Sequence, residues 1–134
     1  TIRRVLPGVG CDPGFSLPCP DESGSHLSFD GRSLNLSQWY PRKIIALDPL
    51  GVPGRVLVVG HGICGHCYAK GAFWALTTDE EKAGDYWLTR VDPATGENQD
   101  LGRLGFPGRA LAFDGECFWT NHRAAGQLVR FAAP

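Results

Sequence analysis

The feature that most constrains the fold is an internal repeat. Three parts of the chain resemble one another, and the equivalent glycines Gly31, Gly71 and Gly115 recur about every 40–44 residues, the spacing of repeat architectures built from small sheets. Each unit contains three stretches in which apolar and polar residues roughly alternate, the pattern of a half-buried β-strand. The matching stretches are 27–31, 34–38 and 43–49 in unit one, 67–71, 73–77 and 87–93 in unit two, and 111–115, 118–122 and 128–131 in unit three.

Turn residues divide these stretches and favour an all-β fold. Asp-Gly pairs fit tight hairpins, and Asp-Pro pairs followed by glycine fit turns that leave a strand. The 18 glycines and 10 prolines leave little room for helix. A fourth strand is predicted after each Asp-Pro turn, at 55–59 in unit one and 99–104 in unit two. We therefore expect one four-stranded sheet per unit.

The third unit reaches position 134 without a candidate fourth strand, and the start of the chain supplies one. Residues 2–6 read as a strand followed by Pro7-Gly8, much as Pro107-Gly108 follows unit two. We expect a single domain over 1–134 in which the N-terminal strand, 1–8, completes the C-terminal sheet of its own chain or of a neighbour. Residues 9–25 are expected to form a lid-like loop, and the sheets are expected at about 26–60, 66–106 and 109–134.

The pattern LxFDG–xxLWxxx–xxLxRxDPxTG, carried by residues 27–49, 66–96 and 109–131, resembles a known propeller repeat. It is similar to that of virginiamycin B (streptogramin B) lyases and of related lactonase-type and NHL-type β-propellers. The resemblance implies three four-stranded propeller blades. Proteins of this kind hold six or seven blades in one chain, so we expect two copies to close a six-bladed homodimer. The alternative is a three-blade fragment of a longer protein.

The four histidines indicate where a site would lie. In a propeller, the loops entering the first strand of each blade share one face with the loops joining the second and third strands. His26 and His66 occupy nearly equivalent positions at the start of first strands, and His61 lies in an entry loop. His122 ends the second strand of unit three. All four map to the same face, which favours a ligand site there.

Metal ligands are concentrated in the stretch His61-Gly-Ile-Cys64-Gly-His66-Cys67. Imidazole and thiolate both bind divalent metals, so His61, Cys64, His66 and His26 are the predicted metal ligands. Strand alternation turns Cys67 away from the face that His66 occupies. A thiol nucleophile or redox pair, or buried cysteines with ordinary histidines, are the alternatives.

The lyases of the resemblance use a divalent metal and a histidine general base at the channel mouth. His66 and His122 are the candidate catalytic residues, because histidine suits proton abstraction near neutral pH. The candidate substrate-binding residues are Gln38, Trp39, Tyr40 and Arg109. The expected function is a metal- or histidine-assisted lyase or hydrolase reaction on a small molecule. The alternative is a non-catalytic propeller scaffold that binds a small molecule or a metal.

Charge and cysteine usage bound the partners and the compartment. A net charge of −1 makes no electrostatic case for nucleic acid or an anionic membrane, and no apolar run is long enough to span a bilayer. Five cysteines leave one over, which favours the cytoplasm, although Cys11 and Cys19 are able to pair in an oxidising compartment. The charged run 79–82 is expected to be solvated, with Glu80 or Glu81 as an unsupported metal ligand.

Overall fold

The computed structural model describes residues 1–80 and 84–134, and within them the chain is all-β, which confirms the predicted class. Glu81 and Lys82 of the charged run lie outside the described residues. No helix in the described part is long or apolar enough to cross a lipid bilayer. One short 3₁₀ turn spans Pro20–Glu22. The strands are β1 Ile2–Leu6, β2 Gly10–Leu17, β3 Leu27–Phe29, β4 Leu34–Gln38, β5 Lys43–Leu47, β6 Pro53–Val58, β7 Gly62–Ala69, β8 Ala72–Thr78, β9 Tyr86–Val91, β10 Asn98–Leu104, β11 Ala112–Phe113, β12 Cys117–His122 and β13 Gln127–Ala132.

The strands form four antiparallel sheets. Sheet 1 has the order β3-β4-β5-β6, sheet 2 the order β7-β8-β9-β10, and sheet 3 the order β11-β12-β13, so each runs as a simple meander. Strands β1 and β2 form a separate N-terminal hairpin. The first strands of the three sheets lie together, because β7 contacts both β3 and β11.

The sheets pack face to face in chain order. Ile44 and Leu57 of sheet 1 pack against Phe73, Ala75 and Val91 of sheet 2. The opposite face of sheet 2 packs against sheet 3. There the ring of Trp74 lies 4.8 Å from that of Phe118, centroid to centroid. Sheet 2 thus buries one face on sheet 1 and its opposite face on sheet 3.

The N-terminal hairpin differs from the expected arrangement. Residues 2–6 pair with Gly10–Leu17, so the region expected as a lid-like loop contains a strand, and within this chain sheet 3 has no fourth strand among the described residues. Gly8 and Gly10 have φ of 76° and 103°, which lets the chain reverse at once after Pro7. Closing so short a loop costs little entropy compared with reaching the far end of the chain.

A difference in turn length shifts the register of unit two. The β7–β8 turn is Lys70-Gly71, with φ of 51° and 73°, a two-residue hairpin turn. The corresponding turns in units one and three are two residues longer, since Phe29 pairs with Leu34 and Phe113 with Phe118. Aligning the units on their glycines therefore misplaces β7 by one residue. His66 is equivalent to Leu27, not to His26 as the sequence suggested.

Candidate functional site

A cleft of about 530 Å³ opens where β4 ends and β7 begins. It brings together five of the sequence-predicted site residues with neighbours that were not predicted. The lining residues are Ser25, His26, Trp39, Tyr40, Ile63, Cys64, Asp79, Glu80 and Arg109. A depression of about 460 Å³ at the opposite end of sheet 1 is lined by turn residues such as Asp30 and Asp48, whose carboxylates accept hydrogen bonds from turn N–H groups.

His26 and His66 face each other across the seam between sheets 1 and 2. The backbone of His26 extends the β3–β4 ladder, accepting a hydrogen bond from the Ser37 N–H at 2.9 Å. Two residues on, Ser28 points to the same side of the strand, and its Oγ lies 2.8 Å from Nε2 of His66. The one-residue register shift is the reason for this meeting, because it turns the two histidines toward opposite faces of their own sheets.

A β-bulge at the start of β7 orients the residues that follow. Ile63 pairs with Thr77 and Gly65 with Leu76, so Cys64 is the extra residue in the ladder. Cys64 joins the core between sheets 2 and 3, and Gly65 is held tightly against sheet 3. Because the bulge inserts one extra residue, the side chains on either side of it do not follow one continuous in-and-out alternation. His66 consequently points toward sheet 1.

Burial keeps both imidazoles neutral. The pKa of His66, which is only 3% exposed, is lowered to about 4, first by burial and then by the proximity of His26. Burial also lowers the pKa of His26, and the positive charge of Arg109 lowers it further. At neutral pH each ring therefore presents one N–H donor and one unprotonated nitrogen acceptor.

One nitrogen of each ring is unpartnered. The Nδ1 atoms of His26 and His66 are buried without a hydrogen-bond partner among the described residues. Burying a polar atom without a partner costs free energy on the order of 1–3 kcal/mol. Of the two residues, His26 lines the cleft and His66 does not, so an external polar group in the cleft would meet the His26 ring.

Aromatic side chains form one wall of the cleft. Trp39 and Tyr40 meet edge to face with centroids 6.4 Å apart, and Tyr40 is 88% exposed. The Trp39 ring lies over Gly62, where a Cβ would come within 3.2 Å of it. Gln38, predicted to bind substrate, instead is fully buried and donates hydrogen bonds to the carbonyls of Pro20 and Ser23. Its amide positions segment 20–23 and does not line the cleft.

His61 lies apart from the His26–His66 pair. Its Nδ1 is 2.9 Å from Asp79 and its Nε2 is 3.3 Å from Asp100, while its ring stacks on Trp87 at 4.5 Å. Arg42 forms an ion pair with the same Asp79 at 3.3 Å. Both ring nitrogens of His61 are thus occupied by carboxylates, and the side chain connects sheet 2 to the cleft wall.

The predicted metal ligands do not come together as one set. No group of three or more His, Cys, Asp or Glu side chains able to hold a metal occurs in residues 1–80 and 84–134. His61 is bonded at both nitrogens and His66 at Nε2, while Cys67 faces sheet 3 with a pKa raised by burial to about 12. In this arrangement these side chains do not form one ligand set, and the divalent metal stays a prediction.

His122, the second predicted catalytic residue, does not line the cleft. Its ring stacks on Phe106 with centroids 4.6 Å apart, and its Nδ1 accepts a hydrogen bond from the Ala125 N–H. Sequence reasoning missed Ser28 and Asp79. Strand alternation places Ser28 beside His26 once His26 is chosen, whereas Asp79 looked like part of a solvated charged run.

Comparisons with known proteins give a likeness of fold alone. No protein-family model matches the sequence, and no curated protein is significantly similar to it. The computationally designed Ika4 protein is similar in structure with a TM-score of 0.50 and 14% identity, covering 89% of this chain and 96% of that one. Kuenenia stuttgartiensis hydrazine synthase gives a TM-score of 0.53 and 12% identity. The match covers 90% of this chain but only 38% of that chain.

Proposed function

We propose that the protein is a small-molecule-binding module whose three sheets are half of a six-bladed, homodimeric β-propeller. The observation that carries the binding proposal is an open cleft in which the half-buried, neutral imidazole of His26, with an unpartnered Nδ1, lies beside the aromatic side chains of Trp39 and Tyr40. Clefts that combine an apolar wall with a few convergent polar groups are the usual form of small-molecule sites.

The lining of the cleft favours a particular ligand class. Trp39 and Tyr40 offer flat apolar surface, which suits a ring. The imidazole of His26 suits a hydroxyl or carbonyl oxygen on that ring, because neutral histidine both donates and accepts hydrogen bonds. Arg109 and the acidic pair Asp79 and Glu80 lie on the rim, so the rim carries both signs of charge. The ligand is therefore a small cyclic compound that carries hydroxyl or carbonyl groups.

The ring proposal is supported by the way the sheets follow one another. Each sheet uses the same kind of face to contact the next, and the first strands stay together. A repeated rotation about the first strands leads toward a closed ring. Known propellers have about 4–8 blades, and two copies of three sheets give six. Within one chain, the outward face of sheet 1 is covered only in part, by the N-terminal hairpin, and the outward face of sheet 3 has no neighbouring sheet in the described structure.

A screen of phenols, cyclic esters and aromatic carboxylic acids by protein-observed NMR tests the binding proposal. Binders are expected to shift the ring resonances of His26 and the indole resonance of Trp39. The Tyr40→Ala variant should bind at least tenfold more weakly, while Leu50→Ala, which removes another exposed apolar side chain far from the cleft lining, should bind as wild type does. Binders that leave the His26 and Trp39 resonances unmoved would overturn the proposal.

A histidine-assisted lyase or hydrolase reaction is the second candidate, and one observation favours it. His26 lines the cleft with a lowered pKa, so its ring is in the basic form at neutral pH. Of the bases predicted from sequence, His66 is nearly inaccessible and His122 is outside the cleft. Turnover of a cyclic ester that is lost in His26→Ala but retained in His122→Ala would support this candidate. Equal turnover in the two variants would exclude His26 as the base.

A further inference from the structure

We infer that strand β1 of one copy is the fourth strand of sheet 3 in a second copy, and that Leu128 marks the sheet face buried by that contact. The inference rests on the ring closure proposed above and is independent of the ligand.

The exposed side chain of Leu128 indicates that the outward face of sheet 3 is buried in the assembled protein. By strand pairing it is equivalent to Ile44 in sheet 1 and Leu88 in sheet 2, since these pair with Asn121, Ser37 and Leu76 respectively. Ile44 is 1% exposed and Leu88 is 3% exposed, both buried by the sheet that follows, whereas Leu128 is 76% exposed. The same position is thus apolar in all three sheets and open only where no sheet follows.

Trp119, on the neighbouring strand β12, shows the same difference in exposure. It corresponds to Trp74, because Trp119 pairs with Ala112 as Trp74 pairs with Cys67. Trp74 is buried against sheet 3, while Trp119 is partly exposed on the face that Leu128 shares. At the other end of the molecule Phe29, equivalent to Tyr68, is exposed on the outward face of sheet 1. Two unlike apolar faces therefore terminate the stack.

The position of β1 identifies it as a fourth strand. In sheets 1 and 2 the fourth strands carry Leu57 and Leu104, which pack against the core of the following sheet. Strand β1 has the same relation to sheet 1, because Ile2 packs against Leu36 and Ile45. It lies where the fourth strand of a preceding sheet would lie. The chain contains one sheet that lacks a fourth strand, among the described residues, and that is sheet 3.

Strand edges allow this pairing without unfolding the hairpin. Strand β1 pairs with β2 along one edge, and β13 pairs with β12 along one edge; neither has a second strand partner in the described ranges. Joining the open edges gives a five-stranded sheet, β11-β12-β13 from one copy and β1-β2 from the other. Unpaired strand edges are templates for such addition.

A second copy is the occupant because this chain carries both halves of the contact. The outward face of sheet 3 and the β13 edge meet the outward face of sheet 1 and the β1 edge. The sheet 1–sheet 2 and sheet 2–sheet 3 contacts already show how such faces fit. A head-to-tail contact of this kind closes when the rotation completes a circle, which two copies of three sheets achieve.

Sedimentation of the wild type and of matched variants tests the inference. We expect a mass twice the 14.5 kDa of one chain for the wild type and for Leu50→Asp, which changes a residue as exposed as Leu128 but in the β5–β6 turn. Leu128→Asp and Phe29→Asp should each be folded by circular dichroism and monomeric. Mixed in equal amounts, these two variants should form a heterodimer, because one of its two contacts joins unaltered faces.

Amide hydrogen exchange tests the strand pairing separately. The β13 N–H groups that point away from β12 should be protected in the dimer and exchange at least tenfold faster in monomeric Leu128→Asp. A monomeric wild type would overturn both the ring and this interface. A wild-type dimer that Leu128→Asp leaves intact, or unprotected β13 edge amides in the dimer, would overturn the interface alone. Ligand titration of monomeric Leu128→Asp reports on the cleft independently, since the cleft lies within one chain.

Discussion

The Oγ of Ser28 lies 2.8 Å from Nε2 of His66 and joins the first strands of two adjacent sheets. The His66 ring is almost fully buried. Because Ser28 belongs to sheet 1 and His66 to sheet 2, this contact stabilises the packing of the two sheets close to His26, which lines the cleft.

Ser28→Ala should lower the free energy of unfolding by about 1–3 kcal/mol. The substitution leaves Nε2 of His66 buried and without its partner, and such a loss costs roughly the desolvation of the orphaned group. Ser16→Ala, which removes an exposed hydroxyl from β2, should change stability by less than about 0.5 kcal/mol. Urea denaturation of the three proteins measures the difference. Equal midpoints for Ser28→Ala and the wild type would show that the hydroxyl contributes nothing.

Stability should fall as the pH drops from about 6.5 to about 4, because burial lowers the pKa of His66 to about 4. Above this window the ring is neutral in both the folded and the unfolded chain. Within it only the unfolded chain binds the proton, which favours unfolding by about 3 kcal/mol at the lower limit. His66→Gln should lose most of this dependence in urea titrations at pH 7.5 and pH 4.5. A pH dependence of the same size in the variant would contradict the assignment.

Gly65→Ala should be strongly destabilising. A Cβ at Gly65 would lie 2.8 Å from Cα of Ala110 and 2.9 Å from the Arg109 carbonyl oxygen, and backbone atoms have little freedom to move away. Overpacking of this kind costs about 1–3 kcal/mol and should push sheets 2 and 3 apart. Gly105→Ala is the matched control, since a Cβ there meets nothing within 4 Å. Thermal unfolding should rank Gly65→Ala clearly below the control.

Cys67 should resist alkylation in the native protein. Burial raises its pKa to about 12, and the thiolate rather than the thiol reacts with iodoacetamide. The exposed Cys11 should be modified first at pH 8, and Cys67 only after urea is added. Peptide mass spectrometry measures both. Modification of native Cys67 at the rate of Cys11 would restore the thiol-nucleophile alternative.

Strand pattern and turn residues were sufficient to predict the all-β class and the stretches that became β4, β5, β8 and β9. They were not sufficient for the register of β7. The glycine alignment could not distinguish a two-residue turn at Lys70-Gly71 from the longer turns at Asp30 and Asp114. Residue spacing likewise does not reveal which residue of β7 forms the bulge. The face of the sheet on which the His66 side chain lies could therefore not be predicted.

The candidate site was predicted in part for the same reason. His26, Trp39, Tyr40, Cys64 and Arg109 share a cleft because loop ends on one side of adjacent sheets converge there. His122 ends β12 as expected, but its ring stacks on Phe106 and does not line the cleft. Gln38 does not line the cleft, because its side-chain amide donates hydrogen bonds to two backbone carbonyls of segment 20–23. Such competition between a ligand and local carbonyls depends on the path of a loop, which composition does not specify.

The bulge at Cys64 gives the chain an unusual sensitivity to length. Deleting that residue would restore simple alternation along β7. The side chains on one side of the deletion would then point to the opposite face of the sheet from the one they occupy now. The imidazole at position 66 and the thiol at position 67 keep their present surroundings only while one surplus residue is retained upstream. The side chains that meet between sheets 1 and 2 are therefore determined by the number of residues in β7 as well as by their identity.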